Sequence, residues 1–304
     1  MEKTVRIEKI IAGGFGLARQ DDGPVILTRF VLPGETVEVR ETAFHRGYNN
    51  ADLVEVVDPS PDRVATPCPL YARCGGCDFQ HCSPSAQLEL KTAIVRETLK
   101  RAKIPFPPEA LQPALPSPDL FHYRHRIRLK VSEDGRLGFF QHGSNALVAT
   151  DNCPVATGLL NHHLKILAAP GLLTDSAHFI SEIEVQHSPA DAAVFLLLHV
   201  RPGRAVDRAA LTGLASSLPE ITGIWLRQKS RAEEIKGTDG FLRQDSGPDI
   251  TGHPFTLCWS PDCFFQVNAE QNTRLIAEVV RLAGDTDGRH TLDLFCGMGN
   301  FSLP

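Results

Sequence analysis

Short apolar runs alternate with turn residues over the first sixty positions. The apolar positions lie at Val5, Ile7, Val25–Leu27, Val37, Val39 and Leu53–Val57. Alternation with period two predicts half-buried strands, and the close spacing of these runs predicts a small, OB-like β-barrel over residues 1–58. Three prolines within residues 58–67 then predict a linker.

Helical periodicity and capping residues predict two helices. One begins near Ser83, because serine caps helices and Pro84 suits the first turn, and it belongs to a cysteine-rich segment over residues 68–104. The other begins at Asn268, with Gln271 as its capping-box partner, and ends at Gly284.

A spacer with six prolines, residues 105–118, separates this segment from the next domain. Helices and inner strands do not tolerate such a run, so a new domain is expected to begin near Leu120. Residues 119–250 combine hairpin signals with a helical stretch at Leu159–Leu167, which predicts an α+β domain. Its predicted strands are Tyr123–Val131, Leu137–Phe140, Ala146–Val148, Ile183–Val185, Ala193–Val200 and Ile221–Leu226.

Residues 251–304 end in the segment TLDLFCGMGNFSLP. Leu292–Phe295 is predicted to be a buried strand that leads into a glycine-rich turn, the start of a Rossmann-like α/β unit. Gly297 and Gly299 would let the backbone approach a ligand closely. Since a parallel sheet needs further strands, the sequence is expected to be a C-terminally truncated form of a longer protein.

Composition narrows the class of protein. The 304 residues are 42% hydrophobic and 22% charged, which excludes wholesale disorder and fibrous repeats. The longest apolar run, Ala192–Leu198, is too short to cross a membrane, and the polar N-terminus has no signal-peptide core, so a cytoplasmic protein is expected. A net charge of −5 argues weakly against a nucleic-acid partner, because proteins that bind phosphates are usually basic. A local row of basic residues can nevertheless occur in a chain with this net charge.

Eight cysteines in such a chain indicate metal or catalytic thiols rather than disulfides. Cys68, Cys74 and Cys77 are separated by five and two residues, and thiolates spaced by two residues can face one metal centre. Cys82 as the fourth ligand would complete a local zinc site, whereas Cys153 would join two segments and favour an iron–sulfur cluster. Proline follows both Cys68 and Cys153, which modestly favours the cluster.

A second pattern lies in the strand HYRHRIRLKV. One face carries Arg124, Arg126, Arg128 and Lys130, and the other carries Tyr123, His125, Ile127, Leu129 and Val131. A row of cations beside an apolar face suits a phosphate backbone, and the alternative is a solvated charged surface. In the segment FFQVNAEQN, Gln266 and Asn268 precede the last helix and are candidates for ligand contact, or for a turn amide and a cap.

In order along the chain, these segments resemble the bacterial iron–sulfur RNA uridine-5-methyltransferases, in particular the RumA-type 23S ribosomal RNA (uracil-5-)-methyltransferases. The N-terminal barrel resembles a TRAM domain and CPLYARCGGCDFQH resembles the cluster loop of that family. The central segments HYRHRIRLKV, LGFFQHGSNALV and CPVA resemble its RNA-binding domain. FFQVNAEQN and LDLFCGMGNFSLP resemble the start of its class I methyltransferase domain.

The resemblance implies S-adenosylmethionine-dependent methylation of uridine C5 in RNA, with 23S ribosomal RNA as the partner and no membrane or obligate protein partner. It implies a [4Fe-4S] cluster on Cys68, Cys74, Cys77 and Cys153, with Cys82 outside the set. It also implies that S-adenosylmethionine contacts Gln266, Phe295 and Asn300.

No catalytic residue is assigned within the chain. The family uses a cysteine thiolate that adds to C6 of uracil and a carboxylate base that removes the C5 proton, and both are expected beyond Pro304. These residues alone are therefore expected to carry a cluster and bind RNA without turnover, as part of an enzyme that is intact in its longer form.

Two other functions remain open on the sequence. A radical methylthiotransferase is disfavoured, since its cluster motif spaces the cysteines by three and two residues. A non-catalytic RNA-binding protein that carries zinc or a cluster is the other alternative, and the brown colour of an iron–sulfur centre would distinguish a cluster from zinc.

Overall fold

A computed structural model describes residues 2–21, 23–237, 240–248, 252–284, 288 and 290–304. It consists of two compact units, Met1–Pro116 and Ser117–Pro304. The division between them falls within the proline-rich spacer. The finer assignment of four domains, 1–58, 68–104, 119–250 and 251–304, stays a prediction, and its boundary between residues 250 and 251 lies outside the described residues.

The first unit begins with a six-stranded sheet. Its strands are β1 (Glu2–Arg6), β2 (Lys9–Ile11), β3 (Phe15–Ala18), β4 (Val25–Arg29), β5 (Thr36–Phe44) and β6 (Tyr48–Asp58). They are ordered β1-β5-β6-β4-β3-β2, with only β4 and β6 parallel among these described pairs. The alternating positions Val37 and Val39 are completely buried, as their spacing predicted. The order ends at β1 and β2, so closure into a barrel stays a prediction.

Helix α1 (Pro84–Arg101) follows the cysteine loop and begins where the sequence predicted. The Ser83 hydroxyl accepts a hydrogen bond from the Ala86 N–H at 3.4 Å, and proline occupies the first turn. A short 3-10 helix, Pro108–Ala110, lies in the proline-rich spacer.

The second unit is built on a seven-stranded mixed sheet, in agreement with the predicted α+β class. Its strands are β7 (Arg126–Val131), β8 (Leu137–Phe140), β9 (Leu147–Ala149), β10 (Ile180–His187), β11 (Val194–Val200), β12 (Gly223–Gln228) and β13 (Arg231–Lys236), and its helices are α2 (Gly158–Leu167) and α3 (Arg208–Ser216). The order is β13-β12-β11-β10-β7-β8-β9, with β11 and β12 parallel through α3. Strand residues such as Leu129, Ile183 and Leu196 pack with Leu160 and Leu164 of α2 in one core.

A hairpin of β14 (Leu242–Pro248) and β15 (Pro254–Trp259) precedes α4 (Ala269–Ala283). The Asn268 side chain accepts from the Gln271 N–H at 3.0 Å, and Gly284 ends the helix with φ of 63°, as the capping pattern predicted. Ile276 of α4 packs with Trp259 and other apolar residues of the hairpin. Across the described residues, every helix is too short or too polar to cross a membrane.

The predicted buried strand at Leu292–Phe295 is wrong. No strand is assigned there, and Leu292 and Leu294 are 79% and 69% exposed. A strand requires neighbours to bond its N–H and C=O groups, and no described strand pairs with this segment. The chain instead turns through Gly297 and Gly299, both with positive φ.

Candidate functional site

The cysteine loop of the first unit is held in place by a buried polar network. The Cys74 N–H donates to the Leu70 C=O at 2.8 Å, and the Tyr71 hydroxyl lies 2.7 Å from the Asp78 carbonyl oxygen and 2.5 Å from His81 Nδ1. Burial lowers the pKa of His81 to about 4, so the ring is neutral at pH 7. Its Nε2–H can then donate to the Val31 C=O at 3.2 Å, while the Tyr71 hydroxyl donates its one proton to the Asp78 C=O.

Cys68, Cys74 and Cys77 are all half-buried in this loop. A tetrahedral zinc site, with Zn–S bonds of roughly 2.3 Å, holds its thiolates about 3.8 Å apart. Among the described residues, these three sulfur atoms do not form a set within 4.8 Å of one another.

Cys82 differs from these three cysteines in its surroundings. It is 1% exposed and packs with Leu32 and Ala86. Burial raises the pKa of its thiol to about 11. This thiol fills a small apolar core, and the choice between Cys82 and Cys153 as the fourth ligand stays a prediction.

Cys153 lies in the second unit, just before α2, and its backbone is held by one buried side chain. Asn161 Oδ1 accepts from the Cys153 N–H at 2.8 Å, and Asn161 Nδ2 donates to the Cys153 C=O at 3.0 Å. Asn161 is only 8% exposed. Sequence reasoning missed Asn161, although an asparagine on the apolar face of a helix, between Leu160 and Leu164, was a usable signal.

The strand β7 places its two faces as predicted, but its cations are not free. Ile127, Leu129 and Val131 are buried. Strand β10 lies beside it in a register that sets Glu184 opposite Arg128, and their side chains form an ion pair at 2.5 Å.

The next pair along these strands repeats the arrangement, with Glu182 opposite Lys130 and bonded to it. The predicted row of unneutralised cations is therefore wrong for Arg128 and Lys130. The acids come from a strand about fifty residues away, and alternation within one strand gives no sign of them.

Glu184 is the centre of this charge network and is 4% exposed. Burial by itself raises the pKa of a carboxyl group, but hydrogen bonds from His199 and Arg128, together with the charge of Arg126, lower the pKa of Glu184 to about 2. His199 Nε2 lies 2.8 Å from Glu184 Oε1, and Arg126 Nη1 lies 3.8 Å from Oε2. The carboxylate is thus ionised throughout the physiological range and holds the arginines in place.

A cavity of about 430 Å³ opens beside this network, at the Arg124 end of the strand. It is lined by Arg124, Arg126, Arg128, Glu184, Leu197, Arg227, Pro261, Asp262, Cys263, Phe264 and Val267. Buried Arg124 Nε has no hydrogen-bond partner within the described part of the chain. The four arginines outnumber the two acids, so the cavity favours an anion.

Phe264 lines the cavity, and the neighbouring Phe265 contacts Arg126 from the apolar core. The Arg126 guanidinium lies 4.9 Å from the ring centre of Phe265, and Phe264 is 66% exposed. An exposed ring beside arginines can stack on a base while the cations hold a phosphate. The sequence analysis predicted Arg124 and Arg126 as ligand contacts but missed Phe264. The two consecutive phenylalanines before the segment QVN could have indicated it.

The candidate cofactor residues lie around the start of α4. Asn300 Nδ2 donates to Asn272 Oδ1 at 2.9 Å, and Asn272 Nδ2 donates to Asn300 Oδ1 at 2.8 Å. Met298 packs against the core that contains Phe265, the residue before Gln266. The glycine-rich turn is thereby fastened close to the segment that carries Gln266.

Phe295 differs from the other two candidates, since it is fully exposed with φ of 63°. Asn272, which is 3% exposed and bonds Asn300, was missed from the sequence. Its position four residues after the cap Asn268, among the apolar positions of α4, could have indicated a buried amide.

Known proteins similar to this chain are RNA-modifying enzymes. The family model described as tRNA (uracil-5-)-methyltransferase matches residues 85–304. The chain is 31% identical to the 23S rRNA (uracil(1939)-C(5))-methyltransferase RlmD of Shewanella amazonensis, over 99% of the chain and 67% of that protein. It is 35% identical to the protein of the same name from another Shewanella strain, over 96% of the chain and 65% of that protein.

A solved structure has the same fold. The crystal structure of the Pyrococcus abyssi tRNA (uracil-54, C5)-methyltransferase with S-adenosyl-L-homocysteine aligns with a TM-score of 0.68 at 23% identity, over 98% of this chain and 69% of that one. The chain thus spans about two thirds of the length of the relatives that it matches.

Proposed function

The chain belongs to the tRNA (uracil-5-)-methyltransferase family, as the sequence resemblance predicted, and we propose that the whole protein methylates C5 of a uridine in 23S ribosomal RNA. The observation that carries the proposal is the cationic, aromatic cavity beside the segment of Gln266, in a chain whose curated relatives act on 23S rRNA. The proposed ribosomal substrate is the one for which those relatives are named.

Within the cavity, we assign the arginines to the phosphate backbone and Phe264 to an unstacked base. Arg124 and Arg227 supply charge, while Glu184 keeps Arg126 and Arg128 from moving. A guanidinium that is already held in place loses little side-chain entropy when it binds a phosphate. Flipping a base out of its stack costs a few kcal/mol, which an exposed phenylalanine partly offsets by stacking.

We assign Gln266, Phe295 and Asn300 to S-adenosylmethionine, which supplies an electrophilic methyl group when bound. Asn272 fixes the orientation of the Asn300 amide through the reciprocal pair of hydrogen bonds. The exposed ring of Phe295 is available as a wall for the cofactor. In this assignment the chain binds and orients the cofactor, and no residue described here is given a role in bond making.

We further propose a [4Fe-4S] cluster on Cys68, Cys74, Cys77 and Cys153, which supplies structural support when bound. The half-buried thiols of the loop and the firmly held backbone at Cys153 are the support for this ligand set. Four thiolate ligands leave no open iron, so a structural role is favoured over redox chemistry.

Tritium release tests the proposed reaction. The whole protein is incubated with S-adenosylmethionine and a 23S rRNA fragment or a tRNA transcript, each labelled with tritium at uridine C5. Release of tritium from the 23S fragment is expected, because C5 methylation expels that hydrogen. The variant Gln266→Ala should lower the rate at limiting cofactor. Absence of release from both RNAs would refute uridine C5 methylation, and release from the tRNA alone would refute the ribosomal substrate.

Metal analysis tests the cluster. The chain purified without oxygen should contain about four irons and four sulfides, and Cys153→Ala should lose them. Cys82→Ala is the matched control and should keep them, since that thiol lies in an apolar core. One zinc per chain that depends on Cys82 would show the ligand set to be wrong.

A further inference from the structure

Two adjacent histidines and a glutamate meet on the second unit, and none of them belongs to the proposed cluster ligands or to the residues that line the arginine cavity. His162 and His163 lie on α2, and Glu220 lies in the turn between α3 and β12. One ligand atom from each side chain lies within 4.8 Å of the other two. Within the described residues, no other set of three histidine, cysteine or acidic side chains is this compact.

The backbone holds these side chains in position. Glu220 lies between Leu218 and Ile221, which are 3% and 2% exposed and are joined by a hydrogen bond of 3.2 Å. Helix α2 is fixed by residues such as Leu164, which is completely buried. The proximity of the three side chains therefore follows from the core of the domain and not from a mobile loop.

The side chains themselves retain some freedom. His162 and Glu220 are 56% and 61% exposed, with 3.0 Å between Nε2 and Oε2. His163 is 4% exposed, and its ring meets that of His162 edge-on at 5.1 Å. A buried imidazole nitrogen is stabilised by a bonding partner, and an ion at this position would be one.

We propose that His162, His163 and Glu220 bind a divalent transition-metal ion of the zinc class. Two imidazoles and one carboxylate are a donor set that zinc accepts, with bonds of about 2.0 to 2.2 Å and ligand atoms about 3.3 Å apart. The ligand atoms lie within 4.8 Å of one another, so each pair is within about 1.5 Å of this spacing. Three protein ligands leave one position for water, and the ion links α2 to the α3–β12 turn. The proposal is independent of the methyl-transfer function.

Cobalt, a spectroscopic substitute for zinc, separates this site from the thiols of the same chain. The chain, purified without oxygen so that the proposed cluster occupies its ligand cysteines, is titrated with Co²⁺. The visible bands that Co²⁺ adds are followed in the difference spectrum, since nitrogen and oxygen donors lack the near-ultraviolet charge-transfer absorption of thiolates. The variants are His162→Gln and Glu220→Gln, both of exposed side chains. His178→Gln, which changes an exposed histidine elsewhere in the unit, is the control.

The wild-type chain and His178→Gln should bind one equivalent of Co²⁺ without thiolate absorption, and Zn²⁺ should displace it. His162→Gln and Glu220→Gln should each weaken this binding by about tenfold or more, because losing a direct ligand costs at least as much as losing a supporting contact. Equal affinity for Co²⁺ in all four proteins, or a wild-type chain that shows no visible Co²⁺ bands, would overturn the proposal.

Discussion

At the centre of the second sheet, Glu184 receives hydrogen bonds from Arg128 and His199 and lies close to Arg126. A buried carboxylate without cations would be strongly destabilising, so Glu184 depends on the cations around it. Arg126, whose side chain is 19% exposed, also gains from the carboxylate, whereas the side chain of Arg128 is 51% exposed and is partly solvated. The same network decides how much positive charge remains for a ligand in the adjacent cavity.

Glu184→Gln should lower the free energy of unfolding by about 2 kcal/mol at pH 7. The pKa of Glu184 is lowered from 4.5 to about 2 in the folded state, so its contribution is complete above pH 4.5 and is lost as the pH falls toward 2. Urea unfolding at a series of pH values measures this. Glu182→Gln, whose side chain is 21% exposed, is the control and should cost less than about 1 kcal/mol. Equal losses in the two variants would contradict the central role of Glu184.

The amides of Asn272 and Asn300 should behave as a coupled pair. Asn272→Ala and Asn300→Ala are each expected to cost about 1 to 2 kcal/mol, because each leaves the partner amide without its hydrogen bonds. The double variant should cost clearly less than the sum. Asn272→Ala combined with Thr212→Ala, an exposed change on α3, should be additive. If the losses of Asn272→Ala and Asn300→Ala added up in their double variant, the amide pair would not hold the glycine-rich turn in place.

At the scale of elements, α4 illustrates how local signals place a helix that tertiary contacts then fix. The Asn268 cap and the Gly284 terminus were readable from the sequence. Only the structure shows that Asn268 Nδ2 also donates to Ser117 Oγ at 2.9 Å and that Gln244 of β14 bonds the Ala269 C=O at 3.1 Å. The helix is therefore anchored at its N-terminal end, where the candidate cofactor residues lie.

Asn268→Ala should destabilise the second unit by about 1 kcal/mol, since the Gln271 N–H loses its acceptor. Asn268→Asp keeps the acceptor and should recover most of this loss. Ser117→Ala leaves the cap intact and serves as the control, since it removes the contact with Asn268 Nδ2 and the Ser117 hydrogen bond to the Asp119 C=O. Thermal unfolding of the three variants measures the effect, and a loss in the aspartate variant equal to that of alanine would rule out capping as the cause.

For the whole molecule, a net charge of −5 and a partly neutralised basic strand limit the electrostatic contribution to RNA binding. Affinity is expected to depend on few phosphate contacts, concentrated at the arginine cavity. Discrimination among RNAs would then rest on shape and base stacking more than on charge.

The logarithm of the RNA association constant should therefore fall with the logarithm of salt concentration with a slope of roughly −3 or shallower. Arg124→Gln should weaken binding and reduce the slope by about 0.7, the value for one phosphate contact on a single strand. Arg136→Gln, an exposed arginine paired with Asp134 at the β7–β8 turn, is the control and should leave the slope unchanged. Fluorescence anisotropy with a labelled 23S rRNA fragment measures both, and equal slopes for the two variants would argue against the cavity as the RNA site.

Patterns that depend on neighbours in the chain were readable in advance. Several strands of both units, the start of α1, both ends of α4 and the apolar face of β7 follow from periodicity and capping, which are local. The order of the motifs along the chain identified the family, and the match over residues 85–304 confirms it.

Tertiary structure alone decided the features that depend on which strand or helix lies beside another. It set Glu184 and Glu182 opposite the cations of β7, buried Cys82 in an apolar core and paired Asn272 with Asn300. It also left Leu292–Phe295 outside any sheet, because a strand needs partners for its backbone groups. Local periodicity determines which face of an element is apolar, whereas charge neutralisation, thiol burial and strand pairing depend on contacts between segments far apart in the chain.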